Sequence, residues 1–147
     1  MTEIEVVRVD LPREGLPDLI DSQRGINRAA EKLASGHGPV ALDAERASGF
    51  RYSNRAYLIQ IFRRNGGLHL IDPVNLRDSK SIITLNRLLE SQECVIHAAS
   101  QDLPCLREFG IMPKRLFDTE LGARIAGCER VGLGPLCENL LEISLAK

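Results

Sequence analysis

The side chains in this sequence best suited to chemistry are carboxylates. Asp43 and Glu45 close a short apolar run, Val40-Ala41-Leu42-Asp43-Ala44-Glu45. Side chains alternate along a strand, so residues two apart leave on one face. Asp43 and Glu45 then project together, while Val40, Leu42 and Ala44 take the opposite face. Like charges held this close in a half-buried setting are costly unless something positive sits between them. A divalent cation such as Mg²⁺ or Mn²⁺, which prefers hard oxygen ligands, would serve. A plainer reading stands beside this one: the strand has ended, and two solvated carboxylates lie in the loop after it.

A third carboxylate follows a second apolar run, in His97-Ala98-Ala99-Ser100-Gln101-Asp102-Leu103-Pro104. Ser100 can cap a helix here, Asp102 in the first turn complements the positive end of the helix dipole, and Pro104 is tolerated there. Capping alone accounts for these residue types. The alternative is that the two strand ends are neighbours and Asp102 faces Asp43 and Glu45. Three acidic groups converging on one cleft then call for cations.

The elements that must position these residues can be read in order. Ile4 to Leu11 has β character and reads as a short edge strand, followed by an extended arm broken by Pro12, Gly15 and Pro17. A helix capped by Asp21 or Ser22 carries Ile26, Ala29, Ala30 and Leu33 at helical spacing, and Ser35-Gly36-His37-Gly38-Pro39 stops it. Three strands come next, over 40–45, 57–63 and 68–72, the last two joined by the turn signal Asn65-Gly66-Gly67. After Pro73 helix and strand alternate. A helix capped by Asp78 or Ser79 shows Ile82, Leu85, Leu88 and Leu89 on its apolar face. A strand over 94–97 leads into a helix from Ser100 to about Phe109, ended by Gly110. A strand over 115–118 leads into a helix over 119–126, closed by Gly127, and a last helix runs from Leu133 to Ile143. The order predicts an α/β fold: a mixed sheet in which an antiparallel three-strand meander feeds parallel strands, flanked by helices.

Composition bounds the rest. At 147 residues the chain has the size of one ordinary domain. A formal charge of -1 supplies no bulk attraction to nucleic acid or an anionic membrane, so any such affinity is local. The N-terminus, Met1-Thr2-Glu3-Ile4-Glu5, is acidic, and no apolar run approaches the roughly 20 residues of a membrane span. The expected compartment is the cytoplasm. Cys94, Cys105, Cys128 and Cys137 form no Cys-x-x-Cys pair and read as small buried hydrophobes rather than zinc ligands or a disulfide framework. No local motif recruits His37, His69 or His97 to nucleophilic catalysis.

Three stretches together carry a family resemblance. Val40-Ala-Leu-Asp43-Ala-Glu45 with Ala56-Tyr-Leu-Ile-Gln60-Ile resembles the first exonuclease motif of the ribonuclease D family. Val95-Ile-His97-Ala-Ala-Ser100-Gln-Asp102-Leu resembles its second. Phe117-Asp118-Thr119-Glu120-Leu, with Ala123-Arg-Ile-Ala-Gly127, is similar to the segment that follows in that family, of the actinobacterial type. The resemblance runs from about Pro12 to the last residue. It implies a ribonuclease H-like fold and 3′→5′ hydrolysis of RNA ends, as in tRNA maturation. It also implies two divalent cations, Mg²⁺ or Mn²⁺, held by four carboxylates of the DEDD type. Asp43, Glu45 and Asp102 match the catalytic, metal-ligating positions. The implied partner is the single-stranded 3′ end of an RNA, with no membrane and no obligatory protein partner. Proofreading DNA exonucleases share this chemistry, and a non-catalytic nucleic-acid-binding module could share the fold.

One departure is plain. The family's third motif, Tyr-x-x-x-Asp, is missing, because the only tyrosines are Tyr52 and Tyr57 and neither precedes an aspartate at that spacing. The chain therefore reads as the N-terminal portion, 1–147, of a longer exonuclease, inactive alone. Asp118, Glu120 and Glu138 are conceivable substitutes for the fourth ligand, although Asp118 reads more simply as a cap for the helix beginning at Thr119. In the loop after the first motif, Arg46, Arg51 and Arg55 offer charge and Phe50 and Tyr52 offer stacking surfaces. Arg46 and Phe50 are the expected substrate contacts, set against a solvated loop with its aromatics packed down. Arg63 and Arg64 read as surface charge, and Gln60 as part of a structural hydrogen-bond network.

Overall fold

The structure is a computed structural model, and it describes residues 5–46, 56–76 and 79–146. The chain forms two compact units, Pro17–Asp118 and the remainder, Met1–Leu16 with Thr119–Lys147.

The larger unit is built on a six-stranded sheet. Its strands are β2 (Leu19–Ile20), β3 (His37–Arg46), β4 (Ala56–Arg64), β5 (Gly67–Ile71), β6 (Glu93–Ile96) and β7 (Arg115–Asp118), in the spatial order β2-β5-β4-β3-β6-β7. β3, β4 and β5 pair antiparallel, while β6 joins β3, and β7 joins β6, in parallel. This is the expected meander feeding parallel strands.

Register places Val40, Leu42 and Ala44 of β3 on one face with Ile59 and Ile61 of β4, Ile71 of β5, and Cys94 and Ile96 of β6. All are buried in a single core shared with three helices: α1 (Gln23–Ser35), α2 (Lys80–Ser91) and α3 (Ala99–Phe109). α1 contributes Ile26, Ala30 and Leu33, and α2 contributes Ile82, Leu85 and Leu89, the residues whose spacing announced these helices. Their caps are the expected serines. Ser22 Oγ accepts from the Gly25 N–H at 3.1 Å, and Ser79 Oγ accepts from the Ile82 N–H. Removing such a cap typically costs about 1 kcal/mol.

Several expectations are corrected. The arm after Pro17 is not merely extended: Leu19 and Ile20 pair in parallel with Leu70 and Ile71 as β2. Two residues carry no readable alternation. β3 starts at His37, so this histidine lies in a strand rather than a glycine turn. Its preceding residue, Gly36, is required there, because a Cβ would meet the Arg64 carbonyl at 2.8 Å. Ser100 does not cap α3. The helix opens one residue earlier, behind Ala98 in the left-handed region (φ 54°), because β6 reverses into α3 across only two residues. Pro104 thus lies inside the helix, where it cannot donate to the Ser100 carbonyl. Gly110, also left-handed at φ 102°, ends α3 as expected.

Arg63 is a further correction. It shares the core face with its cross-strand partner Val40 and is only 6% exposed. Its guanidinium donates to the Gly38 and Leu33 carbonyls and to Gln92 Oε1, at 2.7 to 2.9 Å. Surface charge was the wrong reading, since the three donor nitrogens tie β4 to the C-terminal ends of α1 and α2 and to the start of β3.

The smaller unit contains β1 (Val7–Val9), α4 (Thr119–Ile125), α5 (Leu133–Leu141) and β8 (Ile143–Leu145). α4 closes at Gly127, where the Cys128 N–H reaches the Ala123 carbonyl. The last helix is shorter than its leucine spacing suggested. Glu142 turns left-handed (φ 57°), and the residues after it form β8, parallel to β1. β1 therefore pairs with β8 rather than edging the main sheet.

Candidate active site

β3 delivers the acidic pair as its alternation predicts. Asp43 and Glu45 lie on the exposed face, opposite buried Val40, Leu42 and Ala44. The strand continues through both residues to Arg46, so neither is a loop carboxylate. Across the ladder Gln60 stands opposite Asp43, and its Nε2 donates to Asp43 Oδ2 at 2.7 Å.

Asp102 arrives from the other side. β6 pairs with β3 only through Val40 and Ala41, which leaves the β3 edge beyond Ala41 open to the first turn of α3. There the Ala44 backbone N–H lies close enough to the Asp102 carboxyl to favour its charged form. Asp102 is 8% exposed, and its pKa is pushed up from 3.8 to about 6. Burial is the main cause and the Asp43 charge the next. The Ala44 N–H and the Arg46 guanidinium act in the opposite sense, and Glu45 adds a smaller upward push. Asp43, Glu45, Asp102 and Arg46 thus share one electrostatic neighbourhood with a surplus of negative charge.

α3 is fixed by a carboxylate that the sequence assigned elsewhere. Asp118, at the end of β7, accepts from the Ala98 N–H at 3.1 Å and from the Ala99 N–H at 2.9 Å. It therefore holds the start of the helix that carries Asp102, rather than serving only as a cap for α4. Glu120 pairs with Arg124 one turn on, at 2.9 Å. Glu138 lies in α5, within the smaller unit. Phe50, Arg51, Tyr52 and Arg55 lie outside the described residues, whereas Arg46 is exposed at the end of β3.

Among the described residues no group of three Asp, Glu, His or Cys side chains is gathered tightly enough to hold a metal ion. The donor set nevertheless suits a hard divalent cation: carboxylate oxygens only, on an open face, with mutual repulsion that raises the proton affinity of Asp102. The four cysteines are free thiols, with Cys94 and Cys105 buried. Beside the acidic pair the open face is apolar. A hollow of ≈ 340 Å³ toward the start of β3 is floored by Ala41, Phe62 and Val95 and edged by His37 and Arg64.

A family model described as 3′-5′ exonuclease matches residues 17–147. The chain belongs to the 3′-5′ exonuclease family. It is 31% identical over 122 residues to ribonuclease D of Haemophilus influenzae, covering 78% of this chain and 29% of that protein. It is 28% identical over 130 residues to DNA polymerase I of Aquifex aeolicus, covering 88% of this chain and 21% of that protein. Among solved structures, a protein from Bifidobacterium adolescentis aligns with a TM-score of 0.89 at 41% identity, over 97% of this chain and 35% of that one. Escherichia coli RNase D, described as an exoribonuclease involved in structured RNA processing, aligns at 0.75 and 29% identity, over 90% of this chain and 35% of that one. The chain spans between a fifth and a third of the length of the curated relatives it matches. This exonuclease domain has the ribonuclease H-like sheet that the resemblance implied. No described helix is long and apolar enough to cross a membrane.

Proposed function

We propose that the protein carrying this chain is a 3′→5′ exoribonuclease of the ribonuclease D type, using two divalent cations, Mg²⁺ or Mn²⁺. The observation that supports this reading is that Asp43 and Glu45, on one open strand face, are near enough to Asp102 for their charges to add to burial in raising its proton affinity. Asp43, Glu45 and Asp102 would hold the ions. Bound divalent ions would acidify a water to hydroxide near neutral pH and neutralise charge on the departing 3′-oxygen. The chain's own residues supply the rest. The Ala44 N–H beside Asp102 favours its charged form, and Arg46, at the end of the same strand, would meet a substrate phosphate. Phe50 remains the candidate stacking platform for a 3′-terminal base.

The relationship to a DNA polymerase favours one second reading, a 3′→5′ DNA exonuclease with the same carboxylates. A single experiment separates the two. Oligonucleotides with a free 3′-OH, one of RNA and one of DNA, are incubated with the full-length protein and Mn²⁺. The expected result is stepwise release of mononucleotides from RNA. It should stop with EDTA and fall at least about a hundredfold in Asp43→Asn or Asp102→Asn. Preference for the DNA strand would establish the second reading, and undiminished activity in either variant would remove both.

A further inference from the structure

We propose that Gln60 is a positioning residue of the acidic site, holding the Asp43 carboxylate in the orientation that receives a divalent cation. The proposal rests on the cation reading above and adds to it a residue that ligates nothing itself.

Three observations carry it. Gln60 faces Asp43 directly in the antiparallel ladder, so the two side chains rise from the same face as close neighbours. Its amide donates to Asp43 Oδ2 at 2.7 Å, the short end of N–H···O distances and the mark of a charge-assisted bond. Its residue type is also out of keeping with its strand. Leu58, Ile59, Ile61 and Phe62 surround it, and a half-buried amide there is costly unless it is hydrogen-bonded.

The chemistry of the donor matters as much as its place. An arginine or lysine opposite Asp43 would orient the carboxylate but cancel the charge a cation needs. A neutral amide orients it and leaves that charge intact. It engages one oxygen, Oδ2, and restrains rotation about the side-chain bonds, so the cation site does not have to freeze those rotamers on binding.

The test compares Gln60→Met, which keeps length and removes the donor, with Gln60→His, which keeps an N–H donor at comparable reach. Both are made in the full-length protein, with Asp43→Asn as reference. Mn²⁺ affinity is measured by calorimetry or electron paramagnetic resonance, alongside the metal-free Tm and the split of kcat from KM on RNA. Gln60→Met should weaken Mn²⁺ binding about tenfold and lower kcat by a similar factor, with KM and metal-free Tm near those of the parent. Gln60→His should recover most of the affinity. Unchanged affinity in Gln60→Met, while Asp43→Asn loses binding, would overturn the role of Gln60 and leave the cation site standing. A loss of affinity that only tracked lost Tm in both Gln60 variants would overturn that role as well. Absence of Mn²⁺ binding in the parent protein would overturn the cation reading and this proposal together.

Discussion

Asp102 shows how position rather than residue type sets a carboxylate's behaviour. Burial and the neighbouring Asp43 charge penalise its anionic form, so the folded protein holds that proton more tightly than the unfolded chain does. Stability from this group is therefore fully present below pH 3.8 and is lost as pH rises through about 6. In metal-free protein, Asp102→Asn should consequently raise Tm by about 2–4 °C at pH 7.5, with the difference closing toward pH 4. Calorimetry in EDTA at the two pH values would measure this, and an equal effect at both would show that charge is not the cause. Cations compete with the same proton, so divalent affinity should decline below about pH 6. The pairing of Asp43 with Glu45 was legible because alternation is a local property of a strand. The partners of Asp102, Gln60 and Arg63 were not, since each is met only across the sheet or on another element.

α3 is the element whose placement depends most on a distant group. Its first turn has no side-chain cap of its own, and Ala98 carries the strain of a left-handed backbone. The Asp118 carboxylate compensates by accepting from two of the orphan N–H groups. Asp118→Ala should therefore cost about 1–2 kcal/mol in urea unfolding, and Asp118→Asn, which keeps one acceptor, less. An unchanged urea midpoint in Asp118→Ala would show that solvent or another donor serves the α3 start equally well. α1 and α2 differ from α3 in having local caps, Ser22 and Ser79, which is why their beginnings could be read directly. α5 was read too long for the converse reason. Apolar residues at helical spacing continue past Leu141, but the left-handed Glu142 ends the helix, and β1 supplies a strand partner for Ile143–Leu145.

At the level of the molecule, the two units differ in how they hold themselves together. The larger has a sheet covered on one face by three helices and one continuous core. The smaller has, among the described residues, a sheet of two three-residue strands, short of what usually stands independently. Hydrogen exchange should accordingly find the amides of β3, β4 and β6 most protected, and those of β1 and β8 opening at a markedly lower free energy. Equal protection in both would mean that the units unfold as one.

The sequence alone determined what depends on near neighbours along the chain. Hydrophobic period placed the helices and the meander, serine caps placed two helix starts, and a period of two put Asp43 and Glu45 on one face. Tertiary structure decided what depends on residues far apart in sequence. The parallel docking of β6 stops at Ala41 and leaves the β3 edge open, so that Asp102 lies beside the Asp43 and Glu45 charges. Folding also buries Arg63, sets Gln60 against Asp43, and brings the Asp118 carboxylate to the start of α3. Local sterics can be read from a few residues, but burial and hydrogen-bond partners exist only once the strands have found their order.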